Sequence, residues 1–398
     1  MQSSKARATP LAPAQAPGPR RNIPSIGPSI TKAEIELVTE AVTHGWYGGM
    51  SRYIDLFTQE FSGYLEVERC LPVSHGTAAV HLAMAALELG PGDEVIVPDI
   101  TWVASAAPAA YLGAKVVLVD IDPETLCLCP EAFEKAITRR TKAVVVVDLL
   151  GNMPAMDRIS KVARKHGVAV IEDAAEALGA QYRGRMAGTL GDLGVFSFNA
   201  TKLAVAGQGG ALVTNDPALF ERAKLLAHHG IDKRPGARYY WSTTIGFNYN
   251  WTNIQAALAL AQLRRLEELL DRKARIFRRY EANLAGTPEV RLNRTAPGVR
   301  NTYWLVTAIL GGSLRVPKET VQDELKAFGI DARPFFYPIS SMPPYKRYCD
   351  RRDMAKKNPV AYSLSPYGIC LPCAMDMTEA DVDYVCDRFL SILAKHRK

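Results

Sequence analysis

Between residues 94 and 214 the chain repeatedly places short β-branched runs that are apolar on both faces. They are EVIVP (94–98), KVVLVD (115–120), AVVVVD (143–148), VAVIED (168–173), GVFSF (194–198) and GALVT (210–214). A strand with one wet face alternates apolar and polar residues, and these runs do not, so both faces must be covered. Helical segments such as TWVASAAPAAYLG and MDRISKVARKHG separate several of them. That alternation predicts an α/β fold built on a mostly parallel sheet flanked by helices.

The flanks set the organisation. Residues 1–22, rich in Ala, Pro, Ser and Arg, read as a disordered tail without the apolar segment of a secretion signal. Thr31 and Glu34 form a capping-box pattern ahead of the helical AEIELVTEAV, and the Gly45–Gly49 stretch breaks it. HGTAAVHLAMAALEL reads as a helix opening on Gly76 and Thr77. A long helical segment over 254–284 loses its apolar face to charge near 270. Beyond it, strand-like TYWLVTAIL alternates with helical KETVQDELKAFG and TEADVDYVCDRFLSILAKH. The expected division is a large domain over 23–270 and a smaller α+β domain over 271–398.

Composition removes several functional classes. The net charge of +7 owes much to Arg20, Arg21, Lys395, Arg397 and Lys398 at the ends, and no basic stripe interleaved with aromatics appears, so no nucleic-acid partner is expected. No apolar run reaches membrane-spanning length, so no membrane partner is expected either. The seven cysteines are odd in number and scattered, and His44, His75, His81 and His166 show no ligand spacing. These features predict free thiols, no metal site and a reducing, cytoplasmic location.

Four features lie where an open α/β sheet binds ligands, and each has an ordinary structural reading beside it. Gly76-Thr77-Ala78 opens a helix whose free N–H groups suit a phosphate, or it is a plain N-terminus capped by Ser74 or Thr77. Trp102 follows a strand and offers a ring face, or it is a core tryptophan. Asp173 ends a buried strand and suits a protonated pyridine nitrogen, or it caps the next turn. Lys202 is the lone cation of VFSFNATKLAVAGQGGALVTN, without a nearby acid in sequence. Burial disfavours an ammonium, which would make it a nucleophile toward an aldehyde, or it snorkels to solvent. In chain order the four answer the phosphate, ring face, ring nitrogen and aldehyde of pyridoxal 5'-phosphate (PLP).

From about residue 25 to its end the chain resembles the DegT/DnrJ/EryC1/StrS family of PLP-dependent sugar aminotransferases. The matching stretches include HGTAAVHLAMAALELGPGDEVIVPDITWVASA, VIEDAAEALGA, GDLGVFSFNATK, GQGGALVTND, GFNYNWTNIQAALALAQL and RPFFYPIS. The resemblance implies the aspartate aminotransferase fold (fold type I), with the cofactor linked covalently to Lys202. It implies that Asp173 pairs with the pyridine nitrogen, Glu176 lies near the ring hydroxyl and Trp102 stacks on the ring. The phosphate would be held by the Gly76-Thr77-Ala78 backbone and Ser197, with Asn248 reaching the phosphate of a neighbouring subunit. That last role implies a homodimer with shared active sites. The amino donor would be L-glutamate and the acceptor a nucleotide keto-sugar. NIQAALALAQL, GIDARPFFYPISSMPPY and LPCAMDMTEADVD are most similar to members that aminate C4 of GDP-4-keto-6-deoxymannose.

Arg333 is a candidate for a substrate phosphate or the donor carboxylate, or it makes a structural ion pair. Asn250 stands where many relatives have Arg, and Ile339-Ser340 where many have Leu-His, both on the expected substrate side. Relatives that act as keto-sugar dehydratases carry His at the lysine position, and Lys202 speaks against that chemistry. A dinucleotide oxidoreductase would need strand–GxGxxG–helix, and Gly207-Gln208-Gly209-Gly210 has neither the spacing nor the turn.

Overall fold

The computed structural model describes residues 22–397, apart from 233, 235, 312, 313, 315 and 350. The tail expected to be disordered therefore lies, but for Asn22, outside the described residues. The strands, in chain order, begin with β1 (Arg69–Val73), β2 (Glu94–Pro98), β3 (Lys115–Val119), β4 (Thr141–Val147) and β5 (Ala169–Asp173). Next come β6 (Gln181–Tyr182), β7 (Arg185–Met186), β8 (Leu193–Ser197) and β9 (Gly210–Thr214). The last are β10 (Val290–Leu292), β11 (Val299–Arg300), β12 (Val306–Leu310), β13 (Arg333–Pro334) and β14 (Gly368–Leu371).

Seven strands form the main sheet in the order β1-β9-β8-β5-β4-β2-β3. Strands β3, β2, β4, β5 and β8 run parallel, as the doubly apolar runs predict. At the other edge β8, β9 and β1 turn antiparallel. Every residue of β2 and β9 is buried, which is why the bounds of EVIVP and GALVT were readable from apolar content alone. Strand β1 carries Pro72 and escaped that reading. A proline is tolerated there because β1 is an edge strand.

A second, antiparallel sheet runs β10-β12-β14-β13. The N-terminal segment reaches across to it: Ile23 bridges Ile330, and Cys373 N–H donates to Ser25 O at 2.8 Å. Two carboxylates at the C-terminal ends of β2 and β3 tie the later chain to the main sheet. Asp99 accepts from Ser340 N–H (2.8 Å), Ser340 Oγ (2.6 Å) and Asn358 Nδ2 (2.9 Å). Asp120 accepts from the N–H groups of Val360 and Ala361, at the head of the helix Pro359–Leu364.

The predicted capping box at Thr31 is present, with Thr31 N–H and Oγ both donating to Glu34. The segment expected as one helix over 254–284 is two, Asn253–Arg264 and Leu266–Leu284, broken at Arg265. Arg265 turns its guanidinium toward Ser29 and Glu34, so the break serves a tertiary anchor that no periodicity encodes.

Candidate active site

The sheet topology brings Ser197 and the Gly76-Thr77 turn together. Ser197 at the end of β8 and Val73 at the end of β1 both pair with Gly210. The helix Gly76–Ala86 begins three residues after Val73. A Cβ on Gly76 would sit 2.9 Å from Ser197 Cβ, and one on Gly210 would sit 2.7 Å from Gly76 N. Only glycine allows this close approach of the turn to the strand ends. The N–H groups of Gly76 and Thr77 head the helix and have no intrahelical acceptor, so they suit an anion.

The cap of that helix differs from the expectation. His75, not Ser74 or Thr77, is the N-cap: its Nδ1 accepts from Ala78 N–H at 3.0 Å. The Ala78 N–H, one of the donors expected for the phosphate, is thus already engaged, whereas Ser74 Oγ is buried without a hydrogen-bond partner among the described residues.

Asp173 closes β5, and its carboxylate is buried. Ser105 Oγ donates to Asp173 Oδ2 at 2.7 Å and Ala175 N–H to Oδ1 at 3.2 Å. Burial pushes the Asp173 carboxyl up, while Ser105, Ala175 and the charge of Lys202 pull it back. Ser105 was not foreseen, although it stands three residues after Trp102 in TWVASA. Trp102 itself is 60% exposed, which rules out the core reading and leaves its ring available at the C-terminal end of the sheet.

Lys202 lies in a loop closed between β8 and β9. Ala206 N–H donates to Phe198 O at 2.8 Å and Ala200 N–H to Gly207 O at 3.0 Å, while Asn199 Oδ1 accepts from Thr201 N–H and Oγ. Lys202 has no nearby acid in sequence, but the fold supplies one. Its Nζ lies 3.7 Å from Glu176 Oε1, and its side chain is 14% exposed. The acid is distant in sequence but sits in the turn that follows β5. Glu176 Oε2 accepts from Leu150 N–H at 2.9 Å. Burial raises the Glu176 carboxyl, and the Lys202 charge and the Leu150 N–H oppose that rise. Trp304, also unforeseen, places its ring centroid 4.0 Å from Lys202 Nζ.

The remaining candidates lie apart from this cluster. Asn248 is exposed, and its Oδ1 accepts from Asn250 Nδ2 at 2.7 Å. Arg333 on β13 is half-buried and its Nε donates to Ser25 Oγ at 2.9 Å. Among the described residues no hydrogen bond links it to Lys202, Asp173 or Glu176. Ile339 and Ser340, expected on the substrate side, are fully buried, because Asp99 holds Ser340 from both its N–H and its hydroxyl.

A half-buried amine beside a carboxylate, a buried acid at a strand end and a glycine turn built for close approach together suit an aromatic aldehyde phosphate. Comparison with known proteins agrees. Residues 28–390 match the DegT/DnrJ/EryC1/StrS aminotransferase family. The chain is 41% identical over 360 residues to GDP-perosamine synthase of Caulobacter vibrioides, covering 90% of this chain and 95% of that one. It is 36% identical to GDP-perosamine synthase of Escherichia coli O157:H7, covering 92% and 97%. A solved structure described as a sugar aminotransferase, Spr1654 of Streptococcus pneumoniae in its PLP form, superposes with a TM-score of 0.88. It shares 28% identity and covers 95% of this chain and all of that one (100%). The chain belongs to the DegT/DnrJ/EryC1/StrS aminotransferase family and is a PLP-dependent aminotransferase of the fold type I architecture.

Proposed function

We propose that the chain moves the amino group of L-glutamate onto C4 of GDP-4-keto-6-deoxymannose, giving GDP-perosamine. The likeness to the Caulobacter vibrioides enzyme of that name, 41% identical across 95% of its length, carries this reading. Bound PLP supplies a carbon that takes up and releases the amino group, and a ring that drains negative charge from the substrate. In our reading Lys202 is the point of attachment. Freed from that link, its Nζ would take the proton from the donor's amino-bearing carbon and deliver it to the cofactor's reactive carbon, and would run the same transfer in reverse for the keto-sugar. Asp173, oriented by Ser105, keeps the ring nitrogen protonated, since a buried carboxylate gains most from a cation opposite it. The Gly76 and Thr77 N–H groups with Ser197 hold the phosphate, Trp102 covers the ring, and Glu176 lies by the ring hydroxyl. Arg333 remains our candidate for the substrate phosphate or donor carboxylate.

We further propose a homodimer in which Asn248 reaches the partner's phosphate. Asn248 is exposed, and Tyr239, Tyr240, Trp241 and Ile245 are exposed close to it in the chain, an apolar run that suits burial against a second copy. The cofactor-holding unit would span 23–270 and the smaller unit 271–398. Among the described residues no helix is long and apolar enough to cross a membrane, and Cys70, Cys127, Cys129, Cys370, Cys373 and Cys386 are free thiols. Free thiols support a reducing, cytoplasmic location.

The test of the substrate is an incubation of the purified enzyme with L-glutamate and a panel of nucleotide keto-sugars and cyclitol ketones, read by mass spectrometry. An amino product from GDP-4-keto-6-deoxymannose, faster than from the others, is expected. Amination of a different ketone with none of this one would overturn the assignment.

A further inference from the structure

A second neighbour of the Lys202 amine, besides Glu176, is supplied from much later in the chain. Trp304 is buried, and its ring centroid stands 4.0 Å from Lys202 Nζ. Three hydrogen bonds fix the residue there. Trp304 Nε1 donates to the carbonyl of Thr201, the residue before the lysine, at 2.9 Å. Its own carbonyl accepts from Lys273 Nζ at 3.1 Å and from Cys373 Sγ at 3.4 Å.

The same segment also braces the Glu176 side. Thr302 N–H donates to Gly151 O at 3.1 Å, and a Cβ on Gly151 would lie 2.2 Å from Thr302 Oγ1. Gly151 follows Leu150, whose N–H holds Glu176. Leu150 and Tyr303 both adopt left-handed backbone, at φ 60° and 51°, a conformation that side chains of this size resist. Strain kept at two adjoining turns indicates that the surroundings over-determine both. Leu150 holds Glu176 and Tyr303 precedes Trp304, so the two turns carry the two side chains beside the Lys202 amine.

We propose that Trp304 is a positioning residue for the transamination: with Glu176 it docks the Lys202 amine whenever that amine is not joined to the cofactor. An ammonium over an indole face is held by the ring quadrupole, most strongly when it is out of water. The amine then waits in one place between the two halves of the reaction. The proposal rests on Lys202 being the attachment residue.

The test uses protein stripped of cofactor, so that it does not depend on turnover. Lys202 is labelled by reductive methylation at fixed pH, and the rate is read by peptide mass spectrometry against the exposed Lys142. Trp304→Phe keeps a ring face and should label within about two-fold of wild type, whereas Trp304→Leu should label about five-fold faster or more. Fluorinated tryptophan, which flattens the quadrupole at nearly constant shape, should raise the rate in otherwise wild-type protein. It should leave the rate unchanged in Trp304→Phe. Equal labelling in wild type and Trp304→Leu, or no response to fluorination, would overturn the docking role. Should Trp304→Leu not fold, the fluorinated protein decides alone. If wild type never binds PLP, the attachment reading fails instead, and the labelling result shows the two failures apart.

Discussion

Ser105 Oγ lies 2.7 Å from Asp173 Oδ2, a contact between a short 3-10 turn after β2 and the C-terminal end of β5. It gives the buried Asp173 carboxylate its shortest hydrogen bond and lowers a carboxyl that burial pushes up. Ser105→Ala should therefore let the Asp173 carboxyl rise further and weaken cofactor binding by roughly ten-fold, the loss of one charge-assisted hydrogen bond. Titration of stripped protein with PLP at several pH values reads this. The acid side of the binding profile should move to higher pH, and unchanged binding would remove Ser105 from the site.

An acid pair, Asp148 and Glu172, lies next to Asp173. Asp148, just after β4, and Glu172 in β5 are fully buried, and their carboxyls interact directly with each other. Burial raises the Asp148 carboxyl well above its usual range, reinforced by the charges of Glu172 and Asp173; burial raises Glu172 as well. A carboxyl raised on folding favours the native state below its unfolded value, and that contribution is lost as pH rises through the native value. Asp148→Asn removes the titration and offers N–H donors to Glu172. Its thermal stability should match wild type near pH 4 and exceed it by roughly 1–3 kcal/mol at pH 8. Equal melting curves at pH 8 would contradict this.

Glu34 behaves in the opposite sense. Burial alone would raise its carboxyl, but hydrogen bonds from Thr31, Arg265 and Gln262 hold it down to about 2. A depressed carboxyl stabilises the fold above its unfolded value of 4.5, and that stability is lost as pH falls toward 2. Glu34→Gln should cost roughly 2 kcal/mol at pH 7 and little at pH 2.5. Urea melts at the two pH values measure the difference.

The proposed homodimer with shared active sites makes a complementation prediction. Lys202→Ala and Asn248→Ala should each be nearly inactive alone. Mixed after dissociation, half of the dimers pair one of each and carry one intact site, restoring about a quarter of wild-type activity. A mixture no more active than its parents, while sedimentation shows dimers, would remove Asn248 from the partner's site.

The sheet was legible because its strands are buried on both faces, so EVIVP and GALVT needed no tertiary information. Asp173 and the Gly76 turn stood out because one ends a strand and the other starts a helix, and Lys202 because it is the lone cation of an apolar stretch. That Glu176, named for the ring hydroxyl, and Trp304 would flank the lysine amine was not legible. Glu176 is 26 residues before Lys202 and Trp304 is 102 after it, and only the folded chain brings them within 4.0 Å. The same limit hid the Arg265 break and the burial of Ser340, both set by partners more than 200 residues away in the chain.

The central claim is that Lys202 carries the cofactor and its amine does the proton transfer. Purified enzyme incubated with PLP, reduced with borohydride and digested should give one modified peptide, labelled at Lys202. Its visible absorbance should bleach on reduction and be missing in Lys202→Ala. A protein that stays colourless with PLP, or one labelled at another lysine, would contradict the account.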